Sequence, residues 1–359
     1  MHRPIRVAVF GNGFARSVVL PCLRHVDGAR IVGISSPSLE RVRATAADFG
    51  IERAAATHTE ILESCRPDLV FIATPPHRHL EMSLDALRAG CHVVCEKPTA
   101  LSADESRAMR DAARDAPGQL ALIDHELRFL PSRTALREWV ARGRLGRILR
   151  ADYVLCSPGR RDPALPWSWW SDRARGGGAL GAIGSHAVDA LRVLLGEIVE
   201  ASGILETFVR ERVDPADGAA RAVTSDDFAA AWLRFGSGAI ATVTISAVEA
   251  FRAHRLIVTG TNGSAEVEEH GPLRVAIGSG AWSEVPASDD LPSSSSLGIP
   301  DTDWARAFLR FAREIVAAAR EERTDVPGAA TFEDGHRVQV VLDAIRRSAD
   351  TGTRLQLAD

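Results

Sequence analysis

Lys97 lies in the segment CHVVCEKPTA, residues 91–100, and it is the single lysine of this 359-residue chain. Lysine and arginine together number 43, so the other 42 basic residues are arginine. The chain also holds one tyrosine, so a compositional bias explains a shortage of lysine. Either Lys97 survives that bias by chance, or it stands where a guanidinium fails. Arginine stays protonated, whereas a lysine can release a proton near neutral pH.

The segment VAVFGNGFAR places Gly11 and Gly13 between a predicted strand and a predicted helix, which Phe14 and Ala15 begin. In a βαβ unit, glycines at this turn let the backbone approach a pyrophosphate, which the helix N-terminus stabilises. The third glycine of this pattern allows close packing of helix and strand, and here Arg16 replaces it. We therefore expect nucleotide binding, with a slightly displaced helix or an altered first turn.

The end of the second predicted strand, within GISSPSLER, has no Asp or Glu to bind the adenosine ribose of NAD. Ser36 stands at that position, and Arg41 follows a few residues later. Because no carboxylate opposes a 2′-phosphate and a cation is near, the sequence favours NADP, with NAD as the alternative. The alternative explanation is that Arg41 is only a solvated helix residue.

Strand and helix patterns alternate up to about residue 125. The predicted strands are the segments IRVAVF, ARIVGISS, DLVFIATPP, HVVCEKP and QLALIDH. They are apolar on both faces, which is typical of a parallel, doubly wound α/β domain. Beyond residue 125, consecutive strand patterns joined by tight turns predict a largely antiparallel sheet. We expect an α/β domain over residues 1–125 and an α+β domain over residues 126–359, with a helix over residues 331–350.

Composition excludes several classes of partner. The net charge is −4 and the sequence pI is near 6.3, which gives no electrostatic basis for binding nucleic acid or an anionic membrane. The sequence contains no apolar run of ~18 or more residues, so we expect no transmembrane helix. The N-terminus lacks the layout of a signal peptide. The five cysteines form no CxxC pair, so we expect a cytoplasmic protein without a metal site.

The order of the segments GxG, ATPPHRH, CEKPTA, LRFLP and GGGALGAIGSHAVD resembles the Gfo/Idh/MocA oxidoreductases. The C-terminal segment FEDGHRVQVVLDAIRRSADTG also resembles the ending of that family. The resemblance implies a Rossmann domain followed by a substrate-binding domain with an open sheet, through which subunits form homodimers or homotetramers. It also implies a nicotinamide cofactor and hydride exchange with a carbinol carbon of a sugar, cyclitol or similar polyol.

The resemblance also implies roles for individual residues. Lys97 matches the lysine that binds the substrate hydroxyl and takes part in proton transfer, and Glu96 matches the acid near the nicotinamide ribose. His186 matches the second-domain histidine that positions or protonates the substrate oxygen. The loop that lies along the cofactor corresponds to Thr74, Pro75 and His79. A compact, reversible proton shuttle is work that lysine can do and arginine cannot.

One departure from the family concerns its second-domain motif, D-x-G-x-H, whose Asp is catalytic in many members. This chain has Ala182 at that position, and a methyl group neither binds a hydroxyl nor relays a proton. Chemistry then rests on Lys97 and His186, with Asp189 or a water as a helper. On a helix, Asp189 shares a face with His186, although a structural carboxylate explains it equally well.

Two further residues are weaker candidates for the substrate site. Trp169 belongs to a cluster of tryptophans before a glycine run, and an indole face can stack on a sugar ring; ordinary loop packing is the alternative. Arg128 begins the second predicted domain and either faces the cleft or forms a salt bridge between the domains.

Three functions fit these observations. The leading one is an NADP-preferring dehydrogenase or reductase of a sugar- or cyclitol-like hydroxyl or ketone. The second is a redox-neutral lyase or glycoside-cleaving enzyme that retains its cofactor. The third is a non-catalytic NADP-binding protein, suggested by Ala182 and Arg16; the retained Lys97 argues against it.

Overall fold

A computed structural model describes residues 3–287 and 289–357 of the chain. It divides into two compact units. The first unit holds the described residues up to Ala100, then Asp104–Leu130 and Asp290–His336. The second holds Leu101–Ala103, Pro131–Asp289 and the described residues from Arg337 onwards.

The strands, in chain order, are β1 (Ile5–Phe10), β2 (Ala29–Ser35), β3 (Arg53–Ala55), β4 (Leu69–Ile72), β5 (His92–Cys95), β6 (Ala121–Ile123), β7 (Ile148–Cys156), β8 (Ile198–Glu206), β9 (Glu211–Val213), β10 (Ala220–Ala222), β11 (Phe228–Phe235), β12 (Ile240–Ser246), β13 (Ala253–Gly260), β14 (Gly263–Glu268), β15 (Leu273–Ile277), β16 (Ser283–Val285), β17 (Ala330–Thr331) and β18 (Leu355–Gln356).

The α-helices are α1 (Leu20–Leu23), α2 (Leu39–Phe49), α3 (His58–Cys65), α4 (His79–Arg88), α5 (Ala103–Arg114), α6 (Pro131–Ala141), α7 (Ser185–Leu195), α8 (Ser294–Leu297), α9 (Asp303–Arg320) and α10 (Phe332–Thr351). Two segments are π-helical, Ala15–Val19 and Leu180–Gly184. Short 3₁₀ turns cover Pro76–Arg78, Glu126–Phe129, Trp169–Ser171 and Arg173–Arg175.

The sheet of the first unit has the order β17-β6-β5-β4-β1-β2-β3 in the part of the chain that is described. Strands β1 to β6 run parallel, and β17 pairs antiparallel with β6. All four residues of β4 are buried, as expected for a strand covered by helices on both faces. The order reverses beside β1, which is where ligands bind in open α/β sheets. The predicted Rossmann domain is confirmed.

The first unit extends beyond the predicted boundary near residue 125, because the chain returns to it over Asp290–His336. Helix α9 explains this return. Its buried residues Phe308 and Ile315 share one apolar core with Val9 of β1 and Leu20 of α1. By packing on β1, α9 removes its apolar face from water. The sequence prediction that placed α9 in the second domain is therefore wrong.

The second unit contains an open sheet with the order β16-β15-β14-β13-β7-β12-β11-β8-β18 among the described residues. The pair β7–β12 is parallel and the other pairs are antiparallel, which confirms the predicted mostly antiparallel sheet. Burial alternates along β11, with Ala229, Ala231 and Leu233 buried. That face packs on helices: a Cβ added at Gly203 would lie 2.6 Å from Ile345 of α10.

The segment Arg173–Leu195 is long and apolar enough to cross a membrane by length and composition alone. Of its most apolar window, 72% is buried inside the structure. This burial is typical of the core helix of a globular domain.

Candidate active site

The turn after β1 needs glycine at its first position and leaves space at its second. Gly11 has a φ of 111°, and a Cβ there would lie 2.1 Å from the Ala73 carbonyl oxygen at the end of β4. A Cβ on Gly13 would meet no atom within 4 Å. The Asn12 Oδ1 atom between them is buried and has no hydrogen-bond partner among the described residues. Open space and an unsatisfied polar atom at this turn fit the phosphates of a dinucleotide.

The helix after this turn begins abnormally, as the replacement of the third glycine by Arg16 predicted. Residues Ala15–Val19 form a π-helical turn instead of a normal first α-helical turn. The backbone amides of Arg16 and Ser17 both donate to the Gly13 carbonyl, at 3.2 and 3.3 Å. The Arg16 side chain is exposed and pairs with Asp48 at 2.8 Å, so it leaves the turn clear.

The predicted 2′-phosphate position lies at the end of β2. Ser36 directly follows this strand, is half-buried, and donates its backbone amide to the Ala55 carbonyl at 3.1 Å. Arg41 is exposed in the first turn of α2, where Glu40 is also present. Within the described residues no ion pair of Arg41 is found. Its charge is therefore available to an anion, although the neighbouring Glu40 offsets part of it.

The loop after β4 places Thr74 and Pro75 half-buried at the carboxyl edge of the sheet, whereas His79 is fully buried. The two ring nitrogens of His79 lie 3.0 Å from the Pro98 carbonyl and 2.9 Å from the Thr74 carbonyl. Burial lowers the pKa of His79 to about 4 and outweighs the hydrogen bonds that favour the charged ring. The buried His79 ring thus connects the loop of Thr74 to the loop of Lys97 on the side away from solvent.

Lys97 follows β5 at the same edge of the sheet. Its Nζ atom lies 4.0 Å from Glu96 Oε2, and its backbone amide donates to that oxygen at 3.2 Å. The Lys97 side chain keeps 18% of its surface exposed, whereas the Glu96 side chain keeps 10%. Burial raises the pKa of Glu96, and the neighbouring Lys97 charge opposes that shift. The pair therefore presents a partly accessible amine against a buried carboxyl group.

Sequence reasoning missed two buried acids beside this pair. Asp124 directly follows β6, Glu126 begins the next 3₁₀ turn, and they are 2% and 1% exposed. Burial raises the pKa of Asp124 well above its usual range, and the negative charges of Glu126 and Glu96 add to that shift. A signal was present in the sequence, because the polar run DHE interrupts an apolar strand and the following LRFLP.

The second unit carries His186 in the first turn of α7, with Asp189 one turn later. Both side chains are buried, at 3% and 2% exposure. Ala182 is half-buried in the π-helical turn Leu180–Gly184 that precedes them. The predicted common face of His186 and Asp189 is therefore an interior face of this unit, and Asp189 is not a solvated carboxylate.

The glycine run before His186 is held by a residue that the sequence did not single out. Asp226 accepts a hydrogen bond from the Leu180 amide at 2.7 Å, and its backbone carbonyl accepts from Ala179 at 2.9 Å. Gly178 has a φ of 119°, and a Cβ there would lie 2.3 Å from Asp226 Oδ1. Asp226 thus fixes the turn that leads to His186; its position in TSDDF gave no recognisable signal.

The two weaker candidates have defined surroundings. Trp169 is half-buried in a 3₁₀ turn of the second unit, and its carbonyl packs against Gly177. Arg128 is 9% exposed and pairs with Asp334 at 3.6 Å, inside the first unit. This ion pair lies within one unit, so it is not the salt bridge between domains that the sequence offered as an alternative.

A group of metal-ligand type connects α3 and α4. His58, Glu81 and Asp85 place ligand atoms within 4.8 Å of one another. The His58 Nε2 and Asp85 Oδ2 atoms already form a pair at 2.9 Å. An ion pair between α3 and α4 accounts for this group.

Both units match one family of known proteins. Residues 5–123 match the oxidoreductase family with the NAD-binding Rossmann fold, Gfo/Idh/MocA, and residues 134–266 match the Gfo/Idh/MocA C-terminal domain. The chain is 32% identical to glucose-fructose oxidoreductase domain-containing protein 2 of Mus musculus over 362 residues, which cover 96% of this chain and 91% of the relative.

Solved structures agree with this assignment. An oxidoreductase domain protein from Kribbella flavida superimposes with a TM-score of 0.90 at 26% identity, covering 100% of both chains. Levoglucosan dehydrogenase in complex with NADH and levoglucosan has a TM-score of 0.86 at 26% identity and covers 99% of this chain and 100% of that one. With both domains matched and the glycine turn, the lysine and the open sheet in place, the chain belongs to the Gfo/Idh/MocA family of NAD(P)-dependent oxidoreductases.

Proposed function

We propose that this oxidoreductase transfers hydride to or from a carbinol or carbonyl carbon of a sugar-, cyclitol- or polyol-like substrate, prefers NADP, and uses Lys97 for proton transfer. The observation that carries the proposal is the only lysine of the chain, partly accessible at the end of β5 and 4.0 Å from the buried Glu96 carboxyl group. An arginine-rich chain that keeps one lysine at this position uses what arginine lacks, a side chain that can give up and take back a proton.

Residues of the first unit would hold the cofactor. The backbone at Gly11 and Gly13, with Phe14 and Ala15 at the start of the helix, would hold the phosphates. Ser36 and Arg41 would lie at the adenosine ribose, and Thr74, Pro75 and Glu96 nearer the nicotinamide. When bound, the nicotinamide supplies hydride exchange with the substrate carbon.

Lys97 handles the proton that accompanies this exchange. In the oxidative direction its neutral amine accepts the proton of the substrate hydroxyl while the C–H bond breaks; in the reductive direction its ammonium returns that proton to the oxygen. Glu96 stabilises the ammonium form, because the two groups lie 4.0 Å apart. Low exposure of both side chains limits competition from water.

His186 is proposed to position the substrate oxygen. Its burial and its place at the start of α7, after a turn fixed by Asp226, give the ring a defined orientation. Ala182 offers no proton, so the acid–base chemistry rests on Lys97, with Asp189 as a helper of His186. Trp169 and Arg128 remain candidates for contacts with the substrate.

The relatives support the substrate class, and levoglucosan dehydrogenase was solved with NADH, not NADP. One structural relative is a levoglucosan dehydrogenase whose structure holds NADH and the sugar derivative. The preference for NADP here rests on Ser36 and on the exposed, unpaired charge of Arg41 among the described residues.

Steady-state assays test the proposal. Purified protein is mixed with NADP⁺ or NAD⁺ and a panel of polyols, cyclitols and sugars, and with the reduced cofactors and keto-sugars, while nicotinamide absorbance is recorded. Net turnover with at least one polyol or keto-sugar is expected. Conversion of a sugar or glycoside with no net change in cofactor would instead assign the redox-neutral function. Cofactor binding without conversion of any substrate would contradict the proposed catalytic function.

A further inference from the structure

The buried acids beside Lys97 occupy adjacent strands. Glu96 follows β5 and Asp124 follows β6, and these strands pair in parallel with Cys95 opposite Ile123. The Asp124 amide donates to the Cys95 carbonyl at 2.8 Å, which continues the ladder to the residue before Glu96. Both carboxyl groups therefore stand side by side at the carboxyl edge of the sheet, 8% and 2% exposed.

Each of these two acids has one carboxyl oxygen without an ordinary donor. Glu96 Oε1 and Asp124 Oδ1 are buried and face no N–H or O–H donor among the described residues. The register of β5 and β6 makes the two carboxyl groups neighbours, and the negative charge of Glu96 contributes to the raised pKa of Asp124. Two carboxylates cannot bond without a proton, and two adjacent buried anions would repel strongly. One proton shared by the pair satisfies both requirements.

We propose that Asp124 is a positioning residue for Lys97: its carboxyl group carries that proton and donates it to Glu96, which stays ionised beside the Lys97 ammonium. The inference rests on the proposed function of Lys97 and adds a residue to it. Asp124 carries the proton because Glu96 has the cation 4.0 Å away, whereas Asp124 lies close to the Glu126 charge.

The surroundings of Asp124 support this assignment. The titratable groups whose charge or pKa is linked to Asp124 are Glu96, Lys97, Glu126 and the thiols of Cys22 and Cys95. Lys97 is the cation among them and acts on Glu96 at 4.0 Å, so a neutral Asp124 avoids a surplus of buried negative charge. In this arrangement Asp124 orients the lysine through Glu96.

The experiment uses the single lysine as its own probe. Protein labelled with ¹³Cε-lysine gives one side-chain resonance, whose chemical shift reports the charge of the Lys97 amine without any substrate. We compare wild type with Asp124→Asn, whose amide still donates to Glu96, and with Asp124→Leu and Asp124→Ala, which cannot donate. Asp68→Asn is the matched control, because Asp68 lies at the opposite edge of the same sheet, before β4.

The titration midpoint of the lysine signal should be unchanged in Asp124→Asn and in the control. In Asp124→Leu or Asp124→Ala it should fall by about one pH unit or more. Without its donor Glu96 takes up a proton and Lys97 loses its countercharge; a hydrogen bond to a charged group is worth about tenfold or more in proton affinity.

Two results would overturn the proposal. If Asp124 were an anion, Asp124→Asn would lower the midpoint as much as Asp124→Leu; if Asp124 had no influence, all variants would titrate like wild type. Asp124→Asn against wild type decides the first point even if the apolar variants fail to fold. Because the signal needs no turnover, failure of the proposed function would show separately, in the steady-state assays.

Discussion

The single lysine is the residue on which the function depends. Its neighbours are a buried acid at 4.0 Å and, behind it, the carboxyl group of Asp124. A guanidinium in this place would keep the positive charge and lose the exchangeable proton, because arginine does not deprotonate in proteins. Charge and proton transfer can therefore be separated by one substitution.

We expect Lys97→Arg to fold and to bind cofactor, and to lose catalytic rate by roughly 10²- to 10⁴-fold on the substrate found in the assays. This loss corresponds to about 3 to 5 kcal/mol of activation free energy. The measurement is kcat at saturating cofactor, with circular dichroism to verify folding. The control is Arg107→Lys, a conservative swap of an exposed cation on α5. Wild-type activity in Lys97→Arg would show that Lys97 has no catalytic role and that its survival as the single lysine is chance.

Cofactor preference is likewise decided by single residues. An Asp in place of Ser36 would accept from the ribose hydroxyl of NAD and repel a 2′-phosphate. We expect Ser36→Asp to shift the ratio of the dissociation constants by about tenfold or more towards NAD. Fluorescence titration of NADPH and NADH measures it, and Ser237→Asp, in an exposed turn of the second unit, adds the same charge elsewhere. Tenfold tighter NADH binding by wild type would contradict the NADP preference.

At the scale of elements, the local sequence pattern predicted most of the strands and helices that consist of one contiguous segment. The run IRVAVF coincides with β1, and the predicted helix over 331–350 is observed as α10, Phe332–Thr351. Local pattern did not locate what depends on distant pairing. The adjacency of Glu96 and Asp124 follows from the register of β5 and β6. The return of α9 to the first unit follows from packing on β1.

The loop that carries Lys97 is itself supported by a buried histidine, and this gives an element-scale prediction. The folded-state pKa of His79 is lowered to about 4 from 6.5. Between these two pH values, His79 is mostly protonated in the unfolded chain and neutral in the folded chain. Stability is therefore present above pH 6.5 and is lost as the pH falls towards 4. Between pH 7 and pH 5 this group alone should remove roughly 2 kcal/mol from the free energy of unfolding.

We expect His79→Gln to be less stable than wild type at pH 7 but to lose less stability on acidification. Urea unfolding at pH 7 and pH 5 measures both effects. His254, whose pKa is lowered well below its usual value by burial, leaves some pH dependence in the variant. His270→Asn, an exposed position with a φ of 56°, serves as the control. An equal pH dependence in His79→Gln and wild type would show that His79 titrates normally.

At the scale of the whole molecule, the large exposed apolar side chains concentrate in the second unit. They are Leu149, Ile204, Phe208, Val213, Phe251, Ile277 and Trp282. The face of the nine-stranded sheet opposite α10 carries part of this set together with Trp232, which lies between the guanidinium groups of Arg234 and Arg354. A large, partly apolar sheet surface of this kind usually marks a protein interface.

We therefore predict a homodimer or homotetramer formed through that face. Ile204 is 60% exposed on β8, beside Ala230 of β11, and an Asp there would bury a charge in the interface. We expect Ile204→Asp to lower the molar mass measured by light scattering at micromolar concentration. Val213→Asp should leave the mass unchanged, because Val213 is 54% exposed on β9, outside the nine-stranded sheet. A monomeric wild type would refute the prediction. A larger effect of Val213→Asp than of Ile204→Asp would move the interface to the β9–β10 hairpin.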